Sequence, residues 1–260
     1  MQLDLAGRHA LVGGASQGIG KAIAVALGRA GAEVTLLARR ERALEAAARE
    51  VEAAGSPAAH VLVADLDQRE ALAEAVGAHV AAHPVQIFVH NTGGPKSGSL
   101  VDTPPGDIAA SLLRHVVSGQ VLLQAVLPGM VDAGWGRIVT LTSTSVKEPL
   151  PTLGVSNLTR AAVHGWAKSL SHELPPFITI NDVLPGFADT PRLRSLAHSW
   201  AEARGEPVED VWASMAAGSP AQRIADPEEI ANVVAFLCSD AAGYVTGTAI
   251  PVDGGRTRAL

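Results

Sequence analysis

The chain has 260 residues, of which 47% are hydrophobic and 18% are charged, and this composition excludes a disordered or fibrous protein. Its formal net charge of -6 argues against a nucleic-acid partner, because neutralising phosphates requires a basic surface. A single cysteine, Cys238, excludes a disulfide framework and a multi-cysteine zinc site, and we expect no bound metal.

The chain begins with MQLDLAGRHA, and Asp4 lies where a secretory signal peptide has its basic and apolar regions. No stretch supplies about 18 continuous apolar residues, which is the length needed to cross a membrane. We therefore expect a cytoplasmic protein that makes no membrane contact.

Short apolar runs alternate with helical segments along the chain. Runs typical of buried strands occupy residues 9–13, 33–38, 60–64, 85–90, 137–141, 178–184 and 249–252. Helices are predicted over 21–29 and 41–53, and an alanine-rich helix precedes the fourth strand. This alternation indicates βαβ units and a parallel sheet covered on both faces. We predict one doubly wound, Rossmann-like α/β domain over residues 1–260.

Three later segments are informative. Residues 116–131 carry no charge, and a helix that is apolar all round is either buried or covers a subunit contact. Asp226, Pro227 and Glu229 have the chemistry of the N-cap, first and third positions of a helix, which is a purely structural signal. Residues 190–222 lack a strand pattern, so we predict a helical excursion on the substrate side of the domain.

A glycine-rich loop, GGASQGIG, lies directly between the first strand and the first helix. Gly14, Gly18 and Gly20 permit a tight turn and the close approach of a pyrophosphate to the amides at the helix N-terminus. One alternative is a tight turn that binds nothing. Another is the nucleophile elbow of a serine hydrolase, because Gly14, Ser16 and Gly18 also match G-x-S-x-G. The hydrolase is disfavoured, since the elbow would follow the very first strand and the last histidine, His198, lies well before the C-terminus.

The end of the second strand indicates which dinucleotide binds. An NAD site has an acidic residue there, which accepts hydrogen bonds from the ribose hydroxyls. This chain has Ala38, Arg39 and Arg40 instead, so two guanidinium groups are available for a ribose 2′-phosphate. The alternative is that both arginines are solvated residues at the start of a helix. The sequence favours NADP(H) over NAD(H).

These motifs together resemble the short-chain dehydrogenase/reductase family, and the resemblance covers nearly the whole chain. The Gly14-x3-Gly18-x-Gly20 spacing is similar to the family's glycine motif, and Asn91-Thr92-Gly93 resembles its Asn-Ala-Gly motif. Residues 243–247 and 253–255 resemble its C-terminal end, and the β-ketoacyl carrier-protein reductase-like branch looks most similar. The resemblance implies a fold and a cofactor site formed by Gly14, Ser16, Gln17, Gly18, Ile19, Gly20, Arg39, Asp65, Leu66, Asn91, Thr92, Gly93, Arg160, Pro185, Gly186 and Thr190.

The predicted active site departs from the family pattern. The family has a serine, then Tyr-x-x-x-Lys beginning thirteen residues later, and an asparagine on the preceding long helix. Ser143 matches the serine, but Ser156 and Arg160 stand at the tyrosine and lysine positions, and His115 stands approximately at the asparagine. The only tyrosine, Tyr244, has no lysine four residues on, so no shift of the alignment restores the motif.

Carbonyl reduction still has several candidate groups. It needs a hydride, a hydrogen bond to the carbonyl oxygen and a proton. Ser143 can polarise the carbonyl, Ser156 can orient water or substrate, and Arg160 can contact the nicotinamide ribose but keeps its own proton. We hypothesise that the proton comes from His115, Lys147 or ordered solvent.

Two function classes remain open on the sequence. One is an oxidoreductase acting on a small carbonyl or alcohol substrate, in which Arg192 and Arg194 could meet an anionic group or simply be solvated. The other is a non-catalytic dinucleotide-binding sensor or partner subunit. The absence of the family's tyrosine and lysine is consistent with such a protein. The uncharged helix and the family resemblance imply a homo-oligomer, a tetramer or a dimer.

Overall fold

A computed structural model describes residues 3–259, which form a parallel seven-stranded sheet with the strand order β3-β2-β1-β4-β5-β6-β7. Every neighbouring pair of strands is parallel. The strands are β1 (His9–Gly13), β2 (Glu33–Ala38), β3 (Ala59–Val63), β4 (Ile87–His90), β5 (Gly136–Leu141), β6 (Ile178–Pro185) and β7 (Ala249–Val252).

Nine α-helices within residues 3–259 connect and cover these strands. They are α1 (Gly18–Arg29), α2 (Glu41–Ala54), α3 (Arg69–Ala82), α4 (Pro105–Leu112), α5 (Ser118–Asp132), α6 (Gly154–Leu170), α7 (Pro191–Arg204), α8 (Val208–Ala217) and α9 (Pro227–Leu237). A π-helical turn (Leu113–Val117) joins α4 to α5 without a break.

The helices form a layer on each face of the sheet. On one face, α1 packs against α2 and α9, and their apolar side chains, such as Ile23, Leu44 and Val234, share one core with the sheet. On the other face, α3 packs against α5, and Val76 and Leu122 belong to a second core with Phe88 of β4. The doubly wound α/β fold predicted from the alternating pattern is confirmed.

Several element boundaries differ from the sequence predictions by a few residues. The first helix begins at Gly18 rather than at residue 21, so the end of the glycine loop already belongs to the first turn of the helix. The third strand covers 59–63 rather than 60–64, and the fourth begins at Ile87 rather than at residue 85. Two helices, α7 and α8, occupy most of the predicted excursion at 190–222.

The long helical segment Pro105–Asp132 has one apolar face inside the protein and one outside. Leu122, Val126 and Met130 are buried, whereas Val117 and Val131 are 38% and 44% exposed. The sequence has no continuous apolar run of membrane-spanning length, but this helical segment is long enough, and apolar enough on average, to cross a membrane. It packs on α3 and β4, as a core helix of a layered domain does.

Candidate active site

A cleft of about 710 Å³ opens at the carboxyl ends of the strands, where the strand order reverses between β1 and β4. Open α/β sheets bind ligands at this switch point, because the crossovers on either side diverge and leave a crevice. Every residue predicted to bind the cofactor lines this cleft. Ser143 and Ser156 line it as well, but His115 and Lys147 do not.

The glycine loop forms the floor of the dinucleotide end. Gly14 and Gly18 have φ angles of +60° and +58°, a left-handed conformation that side chains with a Cβ rarely adopt. A Cβ on Gly20 would lie 2.4 Å from the Gly14 carbonyl oxygen and 2.7 Å from Asn91 Nδ2. Helix α1 begins here with no side-chain cap and no acidic residue in its first turn. The loop therefore leaves amide donors at a helix N-terminus that suits a phosphate.

The two arginines after β2 occupy different positions in the cleft wall. Arg40 Nη2 lies 2.6 Å from Gln17 Oε1 and 3.5 Å from Ser16 Oγ, so its guanidinium reaches the glycine loop. Arg39 Nη1 lies 3.9 Å from Asp65 Oδ2 and its side chain is 68% exposed. Arg39 is the arginine predicted to bind the cofactor, but Arg40, which was not among the predicted site residues, is the one that contacts the glycine loop directly.

Arg114 also lines the cleft, and sequence reasoning did not single it out. It donates to Asp67 from both Nε and Nη2, and the Nε–Oδ1 distance is 2.7 Å. This hydrogen-bonded guanidinium lowers the pKa of Asp67, with burial acting in the opposite direction. The pair connects the loop after β3 to the long helix. The sequence carries no signal for it, because the partners are far apart along the chain.

Ser143 follows β5 and caps a short 3₁₀ turn. Its Oγ accepts a hydrogen bond from the Ser145 amide at 3.1 Å, so the Ser143 hydroxyl hydrogen remains available to donate into the cleft. Ser156 and Arg160 lie one turn apart on α6 and share its cleft-facing side. The structure thus brings together Ser143, Ser156 and Arg160.

Arg160 bridges the ends of two strands. Its Nη1 donates to the Leu141 carbonyl at 2.7 Å and its Nη2 donates to the Thr92 carbonyl at 3.0 Å. Burial lowers the pKa of Arg160 to about 10, with the charge of Asp182 raising it and that of Arg192 lowering it further. The side chain therefore stays charged at neutral pH and holds the active-site end of the sheet together.

His115 lies behind the cleft wall, in the π-helical turn, and is fully buried. Its Nδ1 hydrogen-bonds with Thr92 Oγ1 at 2.5 Å, and its carbonyl accepts from His90 Nε2 at 2.7 Å. Burial, assisted by the charge of Arg160, lowers the pKa of His115 to about 2. The proton-donor role of His115 stays a prediction, and the geometry does not support it, because the buried imidazole lies outside the cleft and hydrogen-bonds to Thr92.

Of the other basic residues predicted to lie near the substrate, only one lines the cleft. Arg192 lines the cleft and donates to the Pro95 carbonyl at 2.6 Å. Arg194 instead pairs with Asp189 at 2.7 and 2.8 Å, outside the cleft. Lys147 does not line the cleft either, so the structure supports neither Arg194 nor Lys147 as a substrate contact.

The hydrolase alternative also lacks its partners. Ser16 lies in the glycine loop beside Arg40, and no histidine is among the cleft-lining residues in the described part of the chain. A serine nucleophile needs an adjacent base within hydrogen-bond reach, and Ser16 has none there.

The chain matches the family described as enoyl-(acyl carrier protein) reductase over residues 14–257. It is 36% identical over 258 residues to a 3-oxoacyl-[acyl-carrier-protein] reductase from Pseudomonas aeruginosa, covering 97% of this chain and 98% of the relative. An L-sorbose reductase from Gluconobacter frateurii, solved with NADPH and L-sorbose, superposes with a TM-score of 0.93 at 29% identity and full coverage of both chains.

A 3-oxoacyl (acyl-carrier-protein) reductase from Agrobacterium tumefaciens, solved with NADP bound, superposes with a TM-score of 0.85 at 31% identity, covering 97% of this chain and 95% of that chain. The family match spans nearly the whole chain, and the glycine loop and Ser143 stand in one cleft as the family pattern requires. The chain is therefore an oxidoreductase that belongs to the short-chain dehydrogenase/reductase family.

Proposed function

We propose that this chain is an NADP(H)-dependent oxidoreductase that transfers a hydride between the nicotinamide and a carbonyl or alcohol substrate. The observation that carries the cofactor assignment is the pairing of the glycine loop with the Arg40 guanidinium, 2.6 Å from Gln17 Oε1. Because Gly20 has no Cβ, the first turn of α1 packs closely on the Gly14 carbonyl and Asn91, which holds the loop in the tight turn that a pyrophosphate site needs. Arg40 would hold the ribose 2′-phosphate, and Arg39 would supply further positive charge.

Titration of the purified protein with NADPH and with NADH, followed by nicotinamide fluorescence, tests this cofactor assignment. We expect selective binding of NADPH, and we expect Arg40→Ala to weaken NADPH binding by about 10- to 100-fold, as the loss of charge-assisted hydrogen bonds does. The same variant should bind NADH about as well as the wild type does, because NADH has no 2′-phosphate for Arg40 to contact. Arg42→Ala is the matched control, because Arg42 is exposed on α2 and does not line the cleft. Equal affinity for both dinucleotides in the wild type would contradict the assignment.

The catalytic step would rest on Ser143, Ser156 and water. NADPH, when bound, supplies the hydride. The Ser143 hydroxyl donates a hydrogen bond to the substrate oxygen, because its Oγ already accepts from the Ser145 amide. Arg160 stays protonated below about pH 10 and cannot release a proton at neutral pH. With His115 and Lys147 outside the cleft, the remaining source is a water molecule oriented by Ser156.

The charge of the cleft favours a substrate with an anionic group. A Cβ built on Gly94 would lie 3.8 Å from both Arg160 Nη2 and Arg192 Nη2, so two guanidinium groups converge on one point. Burial lowers the pKa of both arginines, and this desolvation is a cost to each charged form that is largest for the buried Arg160. A carboxylate or phosphate on the substrate would offset that cost.

A β-keto acid and its methyl ester provide a matched pair of substrates, because they share a reacting carbonyl and differ in charge. We expect a higher kcat/KM for the acid, and we expect Arg192→Ala to reduce it by about tenfold, as the loss of one charged hydrogen bond does. Arg194→Ala is the control, because Arg194 pairs with Asp189 outside the cleft. Tight NADPH binding without turnover of any carbonyl substrate would instead support a dinucleotide-binding sensor.

A further inference from the structure

Four histidines and a glutamate meet where the strands begin, at the end of the sheet opposite the cleft. His9 begins β1, Glu33 begins β2 and His60 is the second residue of β3. His79 lies in the last turn of α3, and His83 is its C-cap. Because parallel strands all begin at one edge, the crossovers bring these five residues, the histidine cluster, together.

Three members of the histidine cluster offer ligand atoms to a common point. His60 Nε2 lies 2.6 Å from Glu33 Oε1, and His83 Nδ1 lies 3.6 Å from the same oxygen. One such atom from each residue lies within 4.8 Å of the others. The ligands of a tetrahedral zinc ion, each about 2.0–2.2 Å from the metal, are about 3.4 Å apart. Small side-chain rotations would therefore close this triad around a metal ion.

The remaining two histidines form an ordered hydrogen-bond chain beside the triad. The Pro84 carbonyl can only accept, so His9 Nδ1 carries the proton that it donates at 3.3 Å. His9 Nε2 then accepts from Thr35 Oγ1 at 2.8 Å, and Thr35 Oγ1 accepts from His79 Nε2 at 2.7 Å. The His79 ring stacks on His83, with centroids 4.9 Å apart. Through this stacking, the hydrogen-bonded His79 ring packs against one of the three residues of the triad.

We propose that Glu33, His60 and His83 bind a divalent transition-metal ion, with Zn²⁺ as the preferred metal and water completing a tetrahedral site. Two imidazole nitrogens and one carboxylate oxygen suit Zn²⁺, whereas Mg²⁺ and Ca²⁺ prefer oxygen ligands alone. The three side chains are 34%, 27% and 36% exposed, so an ion can reach them from solvent. This replaces the expectation of no metal, which rested on the cysteine count.

The metal would act as a structural clamp. Glu33 belongs to β2, His60 to β3, which is an outer strand of the sheet, and His83 to the end of α3. An ion bound to all three ties the outer strand to its neighbour and to the helix that follows it. None of the three lines the cleft. Zn²⁺ should therefore raise the Tm of the protein without changing NADPH binding, and this expectation does not depend on the proposed function.

Metal binding is best measured on full-length, tag-free, metal-stripped protein, by calorimetry with Zn²⁺ and by the visible absorption of Co²⁺. We expect one equivalent of metal per chain and the intense Co²⁺ bands of a tetrahedral site. The double variant His60→Gln with His83→Gln should weaken Zn²⁺ binding by about 100-fold and abolish the Tm increase. The control, His172→Gln with His198→Gln, removes two exposed histidines from elsewhere and should bind as the wild type does.

Two results would overturn the proposal. One is a wild type that shows no tetrahedral Co²⁺ spectrum, a result that needs no variant. The other is equal Zn²⁺ affinity in the wild type and the cluster variant. If that double variant fails to fold, Glu33→Gln keeps the side-chain volume and removes the charge, and it should weaken Zn²⁺ binding by about tenfold. Wild-type affinity in Glu33→Gln would count against the site equally.

Discussion

The two ends of the cleft keep different amounts of the family's chemistry. At the dinucleotide end, Gly14, Gly18 and Gly20 shape a backbone cradle, and a Cβ at Gly20 would collide with the Gly14 carbonyl. At the reacting end, the catalytic groups are side chains. There, Ser156 and Arg160 occupy the positions at which the resemblance implies a tyrosine and a lysine. A cradle made of backbone tolerates few substitutions, whereas a proton donor can be replaced by water at the cost of rate.

The sharpest way to test this contrast is to rebuild the reacting end. Ser156→Tyr combined with Arg160→Lys adds a phenol that can donate a proton and a smaller cation beside it. We expect kcat for carbonyl reduction to rise by about 10²- to 10⁴-fold, the usual contribution of one positioned general acid. Steady-state NADPH oxidation with the best substrate measures it.

The control for that variant is Ser156→Phe with Arg160→Lys, which adds the same ring without the hydroxyl. It should show no gain in kcat. A similar gain in both variants would mean that the ring positions the substrate and that proton donation does not limit the reaction.

At the dinucleotide end, adding a single methyl group to the glycine loop should weaken NADPH binding at least as much as removing the charge of Arg40. For Gly20→Ala we expect NADPH to bind about 100-fold more weakly, roughly 2.7 kcal/mol, because the added Cβ would lie 2.4 Å from a backbone oxygen and force the loop to move. Gly77→Ala is the matched control, since Gly77 is also helical but has open space around its Cβ position. Fluorescence titration with NADPH measures both. Unchanged NADPH affinity in Gly20→Ala would show that the loop can shift freely.

Ser143 is the one family side chain that the reacting end retains. Replacing it with alanine should lower kcat at least about tenfold, because the carbonyl oxygen loses its hydrogen-bond donor in the transition state. NADPH affinity should stay within about twofold of the wild type, since removing a transition-state contact leaves ground-state binding unchanged. Comparing kcat with the NADPH Kd separates these effects. Weaker NADPH binding with an unchanged kcat would show that Ser143 takes no part in the chemical step.

The smallest expected effect is in the pH profile of kcat. Burial lowers the pKa of His115 to about 2, so this imidazole stays neutral and adds no inflection through the neutral range. Burial also lowers the pKa of Arg160 to about 10, and its charged form holds the strand ends together. Activity is therefore retained below about pH 10 and lost as the pH rises through it. An inflection in the ordinary range of histidine would restore an imidazole as the proton source.

Much of the fold follows from patterns that are local in the sequence. Apolar runs of four to seven residues, alternating with helices, sufficed to predict the parallel sheet, and the glycine loop predicted where its cleft lies. The position of Arg40 over Gln17 could not be separated from that of Arg39, because rotamers decide which guanidinium turns inward.

The features that sequence reasoning missed depend on contacts between distant segments. Counting residues back along the long helix aligned His115 with the family's asparagine. That count could not show that the His115 side chain is buried behind Thr92. The histidine cluster draws Glu33 from one strand, His60 from the next and His83 from a helix end, with spacings that match no metal motif. Only the crossovers of the fold bring those residues together.

The outer strand β7 contains Pro251, and its position has a consequence for self-association. The Thr248 and Val252 carbonyls accept from Asp182 and Gly186, so these residues face β6 and the alternate ones, Ala249 and Pro251, face outward. A proline there presents no N–H, which leaves Ala249 as the only outward amide donor of the strand. An extended peptide or a second sheet cannot complete a ladder along this edge, so the sheet ends at β7 and does not seed fibrils from that side.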